Sequence, residues 1–401
     1  MRQFNKFRFN QWGNVPVMAP TGGLQLGSLM IWMPIFALIM RDLGANDLQI
    51  SAVVAVYTAG EAVAQYVGGR TADSIGRRPI LIVSPYAAAI LLLLGAFTGH
   101  WVWFSLMYIL MRFFKGFQTP ARTMIIGESV CPNMQGRAFG FVEMFIASMA
   151  VLGPLIGARL LPIVEGQRLL LITATGWAVS GFFRQRYLRE TLQPNVERPR
   201  FSLRQLSRGG LLEVLLILIG LHSIFNLTFW GPFMALHGSD IMLLSRVQIN
   251  VFYAIGSGFG ALSSPWVGQI VDRFGVNRLL AVMSLVFGLT SLLWSFQRAT
   301  PGIILCYIVM GISYQVTMIA SAAFRLQMTT PDVRGAGLGA CGMVSILVAA
   351  MVVPVMGYLR TLIGPHVPFV FAGLLSAGVA YRLLWLEGRL KDGALDWITG
   401  Q

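Results

Sequence analysis

The chain has 401 residues, of which 56% are hydrophobic and 11% charged, with a mean hydropathy of +0.68 and a formal net charge of +14. Soluble domains carry about 25% charged residues, so this composition excludes an ordinary soluble domain, and long apolar runs such as Ile80–Phe97 and Leu211–Leu221 recur throughout. The positive charge does not point to nucleic acid, because the arginines sit in short gaps between apolar segments, where the positive-inside rule places them.

In chain order, a basic arm with Arg2, Lys6 and Arg8 comes first. It is like the start of a secretion signal, but no short apolar core stands apart after it, so the first apolar run reads as an uncleaved helix. Segments of about 20 apolar residues cross a bilayer. They predict twelve spans, at 17–40, 48–68, 79–99, 102–126, 138–161, 168–186, 211–235, 247–268, 279–297, 301–325, 335–358 and 366–386. A polar stretch at 187–210, with Arg189, Arg198, Arg200, Arg204 and Arg208, divides them into a half at 1–186 and a half at 211–401. An even number of spans leaves both termini on one side. The arginine-rich loops at 68–79 and 127–137 share that side with the linker, and they make it cytoplasmic. The loops opposite, such as 98–101, read as nearly free of basic residues.

Gly69, Asp73 and Gly76 recur as Gly268, Asp272 and Gly275 at an offset of 199, and the same offset carries Pro132 to Pro331, Gly136 to Gly335 and Gly140 to Gly339. Features matching at separate places under one shift indicate an internal repeat. Two six-span halves in the same orientation form a parallel repeat, one known transporter architecture.

The loop Gly69, Asp73, Gly76, Arg77, Arg78 and Pro79 resembles the G-x-x-x-D-x-x-G-R-[KR] signature of the major facilitator superfamily. In the fourth span, Arg112 and Gly116 resemble that family's R-x-x-x-G element. In the fifth, Gly153, Pro154 and Gly157 match the antiporter signature G-x-x-x-G-P-x-x-G-G, with Met149 and Ala158 in place of its outer glycines. The resemblance covers essentially the whole chain. It implies an all-α membrane fold in two pseudo-symmetric halves and a rocker-switch carrier with its substrate site between them. It also implies that spans 1, 4, 7 and 10 line the cavity and that spans 2, 5, 8 and 11 form much of the interface. Export branches with the fifth-span signature mostly run on protons and handle drugs or other amphiphiles.

By the same resemblance, Asp73 is expected to face the start of the eleventh span at Arg334–Gly335, and Arg77 to reach Glu128. The small residues at 68–69 would let the second span approach the eleventh. Gly69, Asp73, Gly76, Arg77, Arg78, Glu128 and Asp272 are thus the expected gate set. Arg70 and Arg78 could do no more than hold the loop in the cytoplasm. The second copy has Val276 and Asn277 where the first has arginines, which predicts a weaker latch.

Ionisable groups inside a bilayer are costly and are functional candidates by default. Arg112 falls ten residues into its span, roughly mid-membrane, and Lys115 shares its face. Two cations there call for a counter-charge or an anionic ligand. Glu61 and Glu143 are the carboxylates available, either as static partners or as proton carriers, and Lys115 could instead snorkel to the headgroups. The first span has no acid, and Gln25 is its most polar mid-span residue. A strongly cationic substrate is therefore disfavoured against an anionic, zwitterionic or neutral amphiphile. His222, Asn226 and Trp230 recur every four residues on the seventh span, and with Trp32, Tyr314 and Gln315 they suit a small-molecule cavity. His222 is a second proton-coupling candidate.

Three cysteines, Cys131, Cys306 and Cys341, form no CxxC pair, so free thiols are expected, with neither disulfides nor zinc. There is no G-x-x-x-x-G-K-[ST], H-E-x-x-H or G-x-S-x-G motif, and His100, His237 and His366 do not read as a ligand cluster. No cofactor and no catalysis are expected. The leading reading is a monomeric secondary carrier of a bacterial-type inner membrane, exporting small amphiphiles against protons. The alternative is a uniporter or importer of an anionic metabolite or lipid, with Arg112 and Lys115 as its anion site.

Overall fold

The computed structural model describes residues 12–131, 134–192, 210–329 and 334–391. Peptide groups inside a bilayer have no water to bond, so spanning segments satisfy them internally as helices. Among the described residues there are fourteen α-helices and no strand. In order they are α1 (Val15–Met30), α2 (Phe36–Asp42), α3 (Asp47–Ile75), α4 (Arg77–Gly95), α5 (Trp101–Glu128), α6 (Gln135–Leu160) and α7 (Leu170–Tyr187). After the linker come α8 (Leu211–Leu227), α9 (Phe233–Asp240), α10 (Arg246–Phe274), α11 (Val276–Ser295), α12 (Thr300–Gln327), α13 (Arg334–Leu362) and α14 (Val367–Lys391). Eight helical segments are long and apolar enough to cross a membrane, and one of them is Val15–Asp42 taken as a whole.

The two helices beyond the expected twelve arise because the first and seventh expected spans are each broken. A short 3-10 turn at Met33–Ile35 separates α1 from α2, and Pro34 lies in it. Residues 228–232 separate α8 from α9, and Pro232 ends that gap. Proline lacks an N–H and its ring clashes with the carbonyl four residues back, so neither helix runs through. The two breaks stand at repeat-related positions.

The chain packs as two compact units, one of residues 12–33, 63–131 and 134–192, the other of 34–62, 210–329 and 334–391. In the first, α1 packs on α6 and α7, while α4 packs on α5 and α7. In the second, α8 packs on α13 and α14, while α11 packs on α12 and α14. These pairings correspond helix for helix under the 199-residue shift, so the repeat seen in the letters is also a repeat of packing. Segment 34–62, early in the chain, packs within the second unit.

Gly153 and Pro154 lie within α6 and are buried. A methyl on Gly153 would lie 2.4 Å from the Gly27 carbonyl oxygen and 2.7 Å from the Met30 Cβ, both on α1. The glycine is there because α1 and α6 touch backbone to backbone, the close approach that small residues permit in membranes. Gly153→Ala is therefore expected to lower the melting temperature of the purified protein, with an overpacking cost of about 1–3 kcal/mol. Gly140→Ala, where an added methyl meets open space, is expected to leave it unchanged or slightly raised. Melting curves in one detergent check the pair.

Candidate functional site

The loop between α3 and α4 is built around a buried guanidinium. Arg77 is fully buried, which a cation tolerates only when it is paired and hydrogen-bonded; its two terminal nitrogens are, while Nε has no partner among the described residues. Its Nη1 donates to the Ala72 carbonyl at 2.9 Å, and its Nη2 donates to Glu128 Oε1 at 2.9 Å and lies 3.6 Å from Asp73 Oδ1. Thr191 Oγ1 donates to the other Glu128 oxygen at 2.6 Å. Arg77, Asp73 and Glu128 are thus brought together. Arg78 donates from Nη2 to the Gln185 carbonyl, and Arg70 stacks on Tyr66.

A residue absent from the expected gate set completes the loop. Glu190 accepts backbone N–H groups of Arg77 at 3.1 Å, Arg78 at 2.9 Å, Thr191 at 2.9 Å and Leu192 at 3.0 Å. It therefore caps the start of α4, where free N–H groups and the helix dipole favour a carboxylate. Partial burial alone would raise its pKa, but the backbone donors outweigh that and hold it below the usual 4.5. Gly76 follows from this geometry: its φ is +104°, and a methyl there would lie 2.5 Å from Glu190 Oε2. The only hint in the letters was an acid at the start of a basic linker.

Both small residues of this loop face α5. A methyl on Gly68 would lie 2.1 Å from the Phe117 carbonyl oxygen, so Gly68 serves α3–α5 packing. Among the described residues, a methyl on Gly69 would meet the Pro120 ring, at 3.7 Å. The expected partners of Asp73 at Arg334–Gly335, and the Asp272 side chain of the second copy, lie outside the described side chains.

Gln25 turns into the first unit. Its Oε1 accepts from Gln118 Nε2 at 3.2 Å and from Arg184 Nη2 at 3.3 Å. Arg184 is fully buried and also donates to Gln118 Oε1 at 2.7 Å and Thr21 Oγ1 at 3.1 Å. Three neutral oxygens therefore hold a buried cation. Gln118 and Arg184 were missed, because an arginine in the last turn of a span reads as a membrane-edge residue. Trp32 is fully buried, donates to Thr173 Oγ1 at 2.9 Å and packs on Phe104 and Tyr108, which takes its indole out of the lining expected for it. Arg112 and Lys115 are half-buried on α5, and Arg112 Nη1 lies 3.9 Å from the Met33 sulfur. Glu143 is exposed on α6, and Glu61 is half-buried on α3.

In the second unit α8 ends at Leu227, so the face shared by His222 and Asn226 does not extend to Trp230. His222 Nδ1 pairs with Ser345 Oγ at 2.9 Å, and Asn226 and Gln315 are half-buried. Trp230 instead joins an aromatic cluster. Its Nε1 donates to the Tyr314 hydroxyl at 2.9 Å. Phe229 stacks on Tyr253 at 4.4 Å and on Tyr314 at 5.4 Å, and Phe225 meets Tyr314 edge-on at 4.8 Å. The Tyr253 hydroxyl is buried with no hydrogen-bond partner among the described residues. His237 and His366 also meet, rings 5.0 Å apart, but no trio of metal-ligating side chains occurs among the described residues.

The Glu190 cap has a pH signature. Its folded pKa lies below the unfolded one, so its contribution is present above about pH 4.5 and is lost as the pH falls through the folded value. Glu190→Gln is expected to cost about 0.5–1 kcal/mol near neutrality, since the group is largely exposed and screened. Thermal melts of wild type and variant from pH 7 downward should converge on the acid side.

Comparison with known proteins agrees with this architecture. The profile of the Major Facilitator Superfamily matches residues 18–296 and 244–396. An uncharacterised MFS-type transporter of Methanocaldococcus jannaschii is 24% identical over 386 residues, covering 93% of this chain and 94% of its own. The multi-drug resistance efflux pump PmrA of Streptococcus pneumoniae is 24% identical over 269 residues, 65% of this chain and 66% of that one. The crystal structure of the POT family transporter PepTSo superposes with a TM-score of 0.78 at 12% identity, covering 93% and 97% of the two chains. With a buried Arg77 at its signature loop, a helix repeat in both units and a profile match along its length, this chain is a multi-pass membrane transporter, not an enzyme, and belongs to the Major Facilitator Superfamily.

Proposed function

We propose that the protein is a secondary carrier that exports small amphiphilic compounds in exchange for protons, by alternating access. The observation that carries this reading is the aromatic cluster of Phe225, Phe229, Trp230, Tyr253 and Tyr314. Aromatic faces with few polar groups take up amphiphiles of many shapes, and the unpartnered Tyr253 hydroxyl supplies a directional contact. The similarity to PmrA, an efflux pump by name, supports export. Glu61, Glu143 and His222 are the proton-carrying candidates. The carrier sits as a monomer in a bacterial-type inner membrane with both termini in the cytoplasm.

A second reading, an anion carrier with Arg112 and Lys115 as its site, is favoured by the cationic interior of the first unit, where the partners of Arg184 among the described residues are neutral oxygens. One experiment separates the two. In proteoliposomes under an imposed pH gradient, wild type is expected to move a fluorescent amphiphile against its own gradient, and flux indifferent to the pH gradient would sink the coupling. Arg112→Ala is expected to lose at least about tenfold in coupled flux while still binding the amphiphile. Loss of binding, confined to anionic solutes, would establish the second reading instead.

A further inference from the structure

Six charged residues stand at the helix ends away from the 68–79 loop, and the repeat relates four of them. Arg41 and Asp240 are 199 residues apart, the repeat offset, and so are Asp47 and Arg246. Each pair of counterparts has its charge reversed. In the first copy the arginine closes α2 and the aspartate opens α3, the arrangement helix dipoles favour. In the second copy Asp240 closes α9 and Arg246 opens α10, the arrangement helix dipoles oppose. Helix electrostatics therefore does not explain the reversal.

The contacts explain the reversal at 41 and 240, where the two counterparts touch, and they give Asp47 and Arg246 separate partners. Arg41 grips its own repeat counterpart, Nη1 to Asp240 Oδ1 at 2.5 Å and Nη2 to Asp240 Oδ2 at 2.8 Å. Arg41 also donates to Asp47 Oδ1, from Nε at 2.9 Å. Arg360, in the last turn of α13, donates to Asp240 Oδ2 at 2.8 Å and pairs with Asp47 through Nη1. The result is a closed ring, Arg41–Asp240–Arg360–Asp47, alternating in sign and neutral overall. Equal charges on repeat counterparts would repel at a pseudo-two-fold contact, whereas opposite charges attract. Arg246 pairs with Asp42 at 2.6 Å beside the ring, but there the side chains are 37% and 51% exposed, against 6% for Arg360. The expectation that this face is nearly free of basic residues thus fails at Arg41, Arg246 and Arg360, each of which is neutralised by an aspartate.

We propose that the ring of Arg41, Asp47, Asp240 and Arg360 is a latch that holds the first repeat to the second on the face away from the 68–79 loop, and that it breaks when the carrier opens there. The proposal rests on transport by alternating access, but its test does not depend on any solute. Nitroxide labels at Leu48 and Leu243, both exposed beside the ring, report the separation of the two repeats in nanodiscs, with exposed Cys131 changed to serine. Wild type is expected to give one short distance. Arg360→Met, and independently the double variant Asp47→Asn with Asp240→Asn, should each add a longer population, shifting the closed-to-open ratio by about ten- to a hundredfold. Asp42→Asn, which breaks only the exposed pair, should leave the distribution close to wild type. Unchanged distances in the double variant, or equal widening by Asp42→Asn, would overturn the latch. If the distances shift while proteoliposomes export no amphiphile, the latch stands and the exporter reading falls.

Discussion

A bilayer interior has no water to meet an unpartnered peptide group or charge, and that constraint governs this molecule. It makes every described element helical. It also forces each charge that is not at the surface to find its partner within the protein. Arg77 is met by Ala72, Glu128 and Asp73, Arg184 by Gln25, Gln118 and Thr21, and Arg360 by Asp47 and Asp240. In a chain with 11% charged residues, these guanidinium groups mark the buried polar junctions of the protein.

The repeat supplies the scaffold, and the departures from it are where the copies differ in chemistry. Helix pairings recur in both units, and so do the proline breaks in the first helix of each copy. The arginine of the 68–79 loop has no counterpart at Val276, and the charges at 41 and 47 are reversed at 240 and 246. A parallel repeat brings like positions towards one another. At 41 and 240 the counterparts touch, and identical charges there would push the copies apart, so this contact is asymmetric in sign.

Glycine use follows the same logic at short range. Gly153 lets α6 meet the Gly27 carbonyl, and Gly76 combines a left-handed φ with room for the Glu190 carboxylate. The signature around Gly76 is therefore a cap and a buried ion pair expressed as a spacing of letters. That is why it could be recognised without its partner Glu190 being visible, since a motif records the residues near in sequence and Glu190 is 114 positions away from Gly76.

Several features follow from the sequence alone. The all-helical membrane class, the repeat and its offset, the signature loop and the pairing of Arg77 with Glu128 could all be read from hydropathy, spacing and family resemblance. These depend on local composition or on patterns repeated along the chain. Only the tertiary structure could decide which partner each buried polar group takes. It turned Gln25 towards Arg184, buried Trp32 on Thr173, moved Trp230 off the His222 face by ending α8 at Leu227, and closed Arg41, Asp47, Asp240 and Arg360 into one ring. The physical reason is range: a helix is specified by neighbours a few residues apart, whereas the satisfaction of a buried charge depends on side chains that only packing brings together.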